Sequence, residues 1–238
     1  MKNSSFNIVS RRIYARAWQI ALPVSVLVTG LTGGLCITFG GGVLLGKYMG
    51  LIPGMIAASL GAALFIIGVS TFFAPGGNTM DKLGFHRLKK ADFRLIFLAF
   101  LLITLVSVLI TAAWGEILDL FHIPYMKEQG LIQLVKGGDS QTVLQLFLLT
   151  AAAVPLAEEL MFRRCLYELL LPLGGAAAFI GTALIFSVAH GFLLGMPGLF
   201  FMGLIFQFLA NTTRNLWSSV LCHAFHNALV IACTCLIS

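Results

Sequence analysis

The segment Thr142–Phe162, TVLQLFLLTAAAVPLAEELMF, reads as a membrane span except at two positions, Glu158 and Glu159, with Arg163 and Arg164 following at once. A carboxylate held at the centre of a bilayer costs about 2.5–3.5 kcal/mol on insertion scales. Two in succession are hard to explain as decoration. Residues of this kind face a polar cavity, where they carry out chemistry or move ions.

The rest of the chain places that segment in a membrane. Of 238 residues, 59% are hydrophobic and 10% charged, whereas a soluble domain is about 25% charged. Short segments of alternating polarity, the mark of a β-barrel, are absent. The expected fold is all-α, a polytopic bundle of about seven transmembrane helices with a four-helix catalytic core. Spans of about twenty apolar residues are expected at 18–39, 51–73, 95–114, 142–171, 175–189, 197–210 and 216–236. They divide into an N-terminal region, 1–141, and a core, 142–238. The first span follows Arg11, Arg12 and Arg16 and outruns the apolar core of a signal peptide, about 7–15 residues, so it reads as a signal anchor. Gly30/Gly34 and Gly42/Gly46 have the G-x-x-x-G spacing of closely packed helices. Cys36, Cys165, Cys222, Cys233 and Cys235 lie in or beside apolar segments without metal-finger spacing, and read as buried small apolar side chains.

The formal net charge of +6 does not point to nucleic acid, because the basic residues flank the spans. Lys2, Arg11, Arg12 and Arg16 precede the first, and Lys82, Arg87, Lys89, Lys90 and Arg94 lie between the second and third. The loop 115–141 instead carries Glu116, Asp119, Glu128 and Asp139 against Lys127 and Lys136. The positive-inside rule then puts the N-terminus and the basic loop in the cytoplasm and the acidic loop outside, with Arg163, Arg164 and Arg214 toward the inner side and Arg164 expected nearer the aqueous side than Arg163.

The chemistry gathers in the last four spans. No Asp, Glu, Lys or Arg occurs from Leu169 to Thr213, yet His190 stands there, and the last span holds His223, His226 and Asn227. A single histidine in an apolar helix is usually a hydrogen-bonded packing residue; three, with an amide and two glutamates, suggest a site. Glu159 and Arg163 share a helix face and can pair, leaving Glu158 available about 100° away. Phe186 lies one turn before His190, and His223 one turn before Asn227. At about 1.5 Å of rise per residue, Glu158 and His190 stand at similar depth from the turn near Pro172–Gly174, with His223 about 15 Å in from the turn near Thr213.

The runs Glu158–Arg163 (EExxxR), Phe186–His190 (FxxxH) and His223–Asn227 (HxxxN) occur in this order on successive apolar helices. Together they resemble the CPBP, or Abi, family of intramembrane proteases, which contains the type II CAAX prenyl endopeptidases and bacteriocin-processing proteins. TRNLWSSVLCHAFHN and the basic loop KLGFHRLKKADF resemble the family's flanking segments. The resemblance implies a peptide hydrolase in which Glu158 activates water with help from His190. His223 and Asn227 bind the oxyanion, and Arg163 holds Glu159. The family glycine after Arg163 is Arg164 here, and His226 is an extra imidazole. No metal is favoured, although Glu158, His190 and His223 are of types that ligate zinc. The partners implied are the lipid bilayer and a peptide or protein substrate. A compact chain of this kind fits a prokaryotic plasma membrane, where leader or bacteriocin peptides are expected substrates rather than a prenylated CAAX protein. The alternatives are a catalytically inactive member that binds a membrane partner and a proton- or ion-coupled transporter. Against the transporter, the two halves share no repeated hydropathy pattern.

Overall fold

The computed structural model describes residues 22–74 and 76–237, all helix, turn and loop without a strand among them. The basic N-terminal tail and the start of the first expected span at Trp18 lie outside the described residues. Among the described residues, seven helices make the bundle: α1 Val24–Met49, α2 Leu51–Phe73, α3 Lys90–Leu120, α4 Ser140–Leu173, α5 Gly175–Ala189, α6 Met196–Thr213 and α7 Leu216–Ile237. Six are long and apolar enough to cross a membrane; α5, at 15 residues, is shorter. The protein is a multi-pass membrane protein. On α3, Phe97, Leu101, Leu105 and Leu109 are exposed at four-residue spacing, a stripe suited to lipid.

Local chemistry sets the helix ends. Gly50, at φ 88°, allows the reversal between α1 and α2 that a residue with a Cβ would resist. Asp92 Oδ2 accepts the Lys89 backbone N–H at 2.8 Å, so α3 begins earlier than the apolar run at Leu95 suggests; it ends later too, at Leu120 rather than Trp114. Asp139 caps α4 by accepting the Thr142 N–H at 2.8 Å. Two stretches of α4, Leu149–Ala153 and Leu160–Leu166, are π-helix. Such segments are rare and occur frequently at functional sites.

The glycine spacing works as expected. A Cβ on Gly34 would stand 3.1 Å from Met161 Sδ and 3.3 Å from Ile66 Cδ1, and one on Gly30 would meet Cys165 Sγ at 3.3 Å. The bare backbone of α1 therefore lies directly on α2 and α4. The cysteines only half follow expectation: Cys165 and Cys222 are buried, but Cys36, Cys233 and Cys235 are exposed, Cys233 because it lines an open cavity between the helices.

One end of the bundle is tied by the basic loop. Leu216 N–H donates to Gly84 O at 2.7 Å, Asn215 Nδ2 donates to His86 O at 2.9 Å, and Phe85 packs on Trp217 with centroids 4.8 Å apart. The two flanking segments singled out in the sequence are thus halves of one contact. Arg164 joins the same knot, donating to Lys82 O at 2.6 Å and pairing with Glu168. It is fully buried, not toward the aqueous side, because Glu168 and the Lys82 carbonyl replace water as its partners.

Two predictions follow from this packing. Gly34→Val should lower the thermal unfolding temperature of detergent-solubilised protein by an overpacking cost of about 1–3 kcal/mol. Gly68→Val, at a position where a Cβ meets nothing within 4 Å, should melt close to wild type; equal effects would refute the close packing. Hydrogen bonds from the Thr142 side chain and then its backbone hold the Asp139 carboxyl below its ordinary value. A depressed folded-state value means stability that is present above the unfolded carboxyl range, about pH 3.9, and lost as pH falls through the folded value. The stability gap between wild type and Asp139→Ala should therefore be full at neutral pH and shrink on acidification, as followed by melting temperature against pH.

Candidate active site

Four of the residues singled out in the sequence, Glu158, His190, His223 and Asn227, line one cavity of about 1030 Å³. Glu159, Arg163 and Phe186 stand behind its wall, each fully buried. The first group faces the space and the second holds the first in place.

The layer behind the wall centres on an ion pair. Arg163 Nε lies 3.1 Å from Glu159 Oε2 with both side chains at 0% exposure. The other oxygen of Glu159 lies 3.1 Å from His223 Nδ1. The guanidinium sits over aromatic faces, 4.6 Å from the Phe186 centroid and 5.5 Å from that of Phe206, where the ring quadrupole attracts a cation. Phe206 also stacks on the His223 ring at 4.7 Å with an interplanar angle of 21°. His223 is thus fixed in position by a carboxylate at one edge and a ring on one face.

Glu158 is the free carboxylate the spacing anticipated. Its side chain is 20% exposed, and Oε2 lies 3.8 Å from His223 Nε2. His223 therefore stands between the two glutamates, one nitrogen toward each.

His190 is placed by the end of α5. Its own N–H turns to Ser187 O at 3.3 Å, which leaves the Phe186 carbonyl among the orphans of a helix C-terminus. The imidazole Nδ1 takes that carbonyl at 2.8 Å and so must carry a proton. In the neutral ring Nε2 is then the acceptor. The loop beyond is anchored by Ser187 Oγ donating to Met196 O at 2.6 Å and Trp114 Nε1 donating to Leu193 O at 3.1 Å.

Asn227 depends on a proline. In the π turn, Val154 N–H bonds Leu149 O. The next bond of that register would run to Thr150 O from residue 155, and Pro155 has no N–H. Asn227 Nδ2 supplies the missing donor at 2.8 Å. The sequence reading passed over Pro155 and Thr150, and the signal available was a proline inside an apolar span. It also passed over a buried polar chain, in which Gln207 Nε2 donates to Asn211 Oδ1 at 2.8 Å and Asn211 Nδ2 donates to Tyr167 Oη at 2.9 Å. The four-residue spacing of Gln207 and Asn211 on α6 was its trace.

No group of three or more His, Cys, Asp or Glu side chains among the described residues is arranged to hold a metal ion.

The buried pairs make a stability prediction. Removing one partner of a buried pair costs about 3–5 kcal/mol, because the other charge is stranded. Arg163→Ala should therefore melt lower in detergent than the double variant Glu159→Ala/Arg163→Ala. Arg164→Ala, which removes the buried cation paired with Glu168, should also melt lower than wild type. A wild-type melting curve for either single variant would show that its pair does not carry this burden.

Comparison with known proteins bears on this arrangement directly. Residues 140–229 match the family model described as type II CAAX prenyl endopeptidase Rce1-like. Neither the curated proteins nor the solved structures gave a match. The matched region runs from the first turn of α4 to Leu229 and includes every residue of the three motifs. The family to which residues 140–229 of this chain are matched is the Rce1-like type II CAAX prenyl endopeptidases.

Proposed function

We propose that the chain is an intramembrane endopeptidase that cleaves a membrane-associated peptide or protein with water activated by Glu158. The observation that carries the reading is the pairing of Glu158 with His223 at 3.8 Å on the wall of a membrane-embedded cavity, backed by a buried Glu159–Arg163 ion pair.

The roles follow from which atoms are already committed. Glu158 is the carboxylate without a guanidinium of its own, so it is the one able to take a proton from water. His190, with Nδ1 donating to Phe186 O, keeps Nε2 as an acceptor and lines the same cavity, so it is the group assigned to help Glu158 with the water. His223 uses Nδ1 on Glu159; as the imidazolium, in which both ring nitrogens donate, it gives its Nε2 proton to the oxyanion of the tetrahedral intermediate. Asn227 uses one amide hydrogen on Thr150 O and keeps the second for the same oxygen. Donors fixed before the reaction stabilise the developing charge without reorganising. Arg163 balances Glu159, so that His223 is oriented by a carboxylate whose own charge is answered. A peptide or leader segment in a prokaryotic plasma membrane, with the N-terminus cytoplasmic, remains the substrate setting that the sequence favours.

The test is cleavage of membrane-anchored peptide reporters by purified protein in detergent. Glu158→Gln, His190→Ala and His223→Ala should each lose at least about a hundredfold in rate, the lower range for a general acid or base, while still inserting; Glu158→Gln should melt normally, whereas His223→Ala, which removes the partner of one Glu159 oxygen, should melt lower. Asn227→Ala should lose about 10²–10³, as for one oxyanion donor. Full activity in Glu158→Gln would end the mechanism. A metal-free reaction predicts chelator-resistant cleavage and no stoichiometric metal by elemental analysis. One zinc per active chain would replace the direct role of Glu158 with a ligand role.

A further inference from the structure

The cavity is lopsided. From Glu158 and His223 it extends past Thr104 on α3 to a rim at Glu116, Asp119 and Lys127, and no wall residue comes from the basic loop or from the α4–α5 or α6–α7 turns. Glu116 and Asp119, one turn apart at the end of α3, are exposed. Glu128, on the same rim, is paired with Lys136. With Lys127 set against Glu116 and Asp119, the mouth keeps one unbalanced negative charge. Partway down stands His226, which lines the cavity and is 9% exposed, so that a side chain put in its place reports on entry.

We propose that polypeptide substrates reach Glu158 from the membrane face that carries Glu116 and Asp119, opposite the basic loop, and that the entering segment bears Lys or Arg side chains. By the positive-inside rule this face is the outer one. The substrates are then secreted or translocated polypeptides, or outward ends of membrane helices, rather than cytoplasmic C-terminal peptides. The access route stands on the cavity alone; the substrate half rests on the protease reading.

The experiment separates the two. In full-length protein with the exposed cysteines removed (Cys36→Ala, Cys233→Ala, Cys235→Ala) and the buried ones kept, His226→Cys or Thr104→Cys reports from two walls of the cavity. Each is treated in right-side-out and inverted membrane vesicles with membrane-impermeant trimethylammonium or sulfonate methanethiosulfonate, with rates normalised to those of a free thiol. Reaction is expected in right-side-out vesicles with protection in inverted ones. Equal or faster reaction in inverted vesicles, or protection in both, overturns the route. The normalised cationic-to-anionic ratio should exceed one, and should fall by about tenfold in Glu116→Lys/Asp119→Lys, within the range of electrostatic focusing in clefts. An unchanged ratio overturns the selection for basic segments. Glu158→Gln should leave labelling intact. Intact labelling without any peptide cleavage by the parent protein would defeat the protease reading alone.

Discussion

The Glu159–Arg163 ion pair is the constraint from which the site is built. Two charges with no exposure are tolerable only if they satisfy one another and their remaining atoms find partners. Those needs select the surroundings. The second oxygen of Glu159 takes His223, and the guanidinium takes the faces of Phe186 and Phe206. Phe186 lies one turn before His190, with the two rings 4.7 Å apart. Through one pair, α4, α5, α6 and α7 are brought into register, and the free carboxylate Glu158 is left facing the cavity.

Backbone carbonyls are the second device. A membrane interior offers no water to a carbonyl without a donor, so each irregularity in a helix calls in a side chain. Pro155 frees Thr150 O, which holds Asn227. The end of α5 frees Phe186 O, which holds His190. In both cases the residue's other polar atom remains for the cavity. Placement of the polar side chains thus follows from breaks in helical hydrogen bonding rather than from a dedicated scaffold.

Much of this was legible in the chain. The apolar runs gave seven helices because twenty apolar residues have one stable arrangement in lipid. The i,i+4 spacing gave the Glu159–Arg163 pair, since neighbours on a helix face are fixed by helical rise and turn. Similar depth for Glu158, His190 and His223 could be counted from the turns. Arg164 was misread because spacing reports only its own helix: its burial depends on Glu168 and on the Lys82 carbonyl from a loop far away in sequence. The exposed Cys36, Cys233 and Cys235 were misread for the same reason, as composition says that a residue is apolar but not which face finds a neighbour.

The sequence by itself determined the membrane class, the order of the helices, the intrahelical ion pair and the family resemblance, all of which depend on local periodicity and on the cost of charge in lipid. Tertiary structure decided which atoms face the cavity. It set His223 between two glutamates, joined Asn227 to a carbonyl freed by Pro155, locked Asn215 to His86, and turned the mouth of the cavity toward Glu116 and Asp119. These relations join residues tens of positions apart or more. They are fixed by how helices pack and where each orphaned polar group finds its partner, and no pattern within a single helix contains that information.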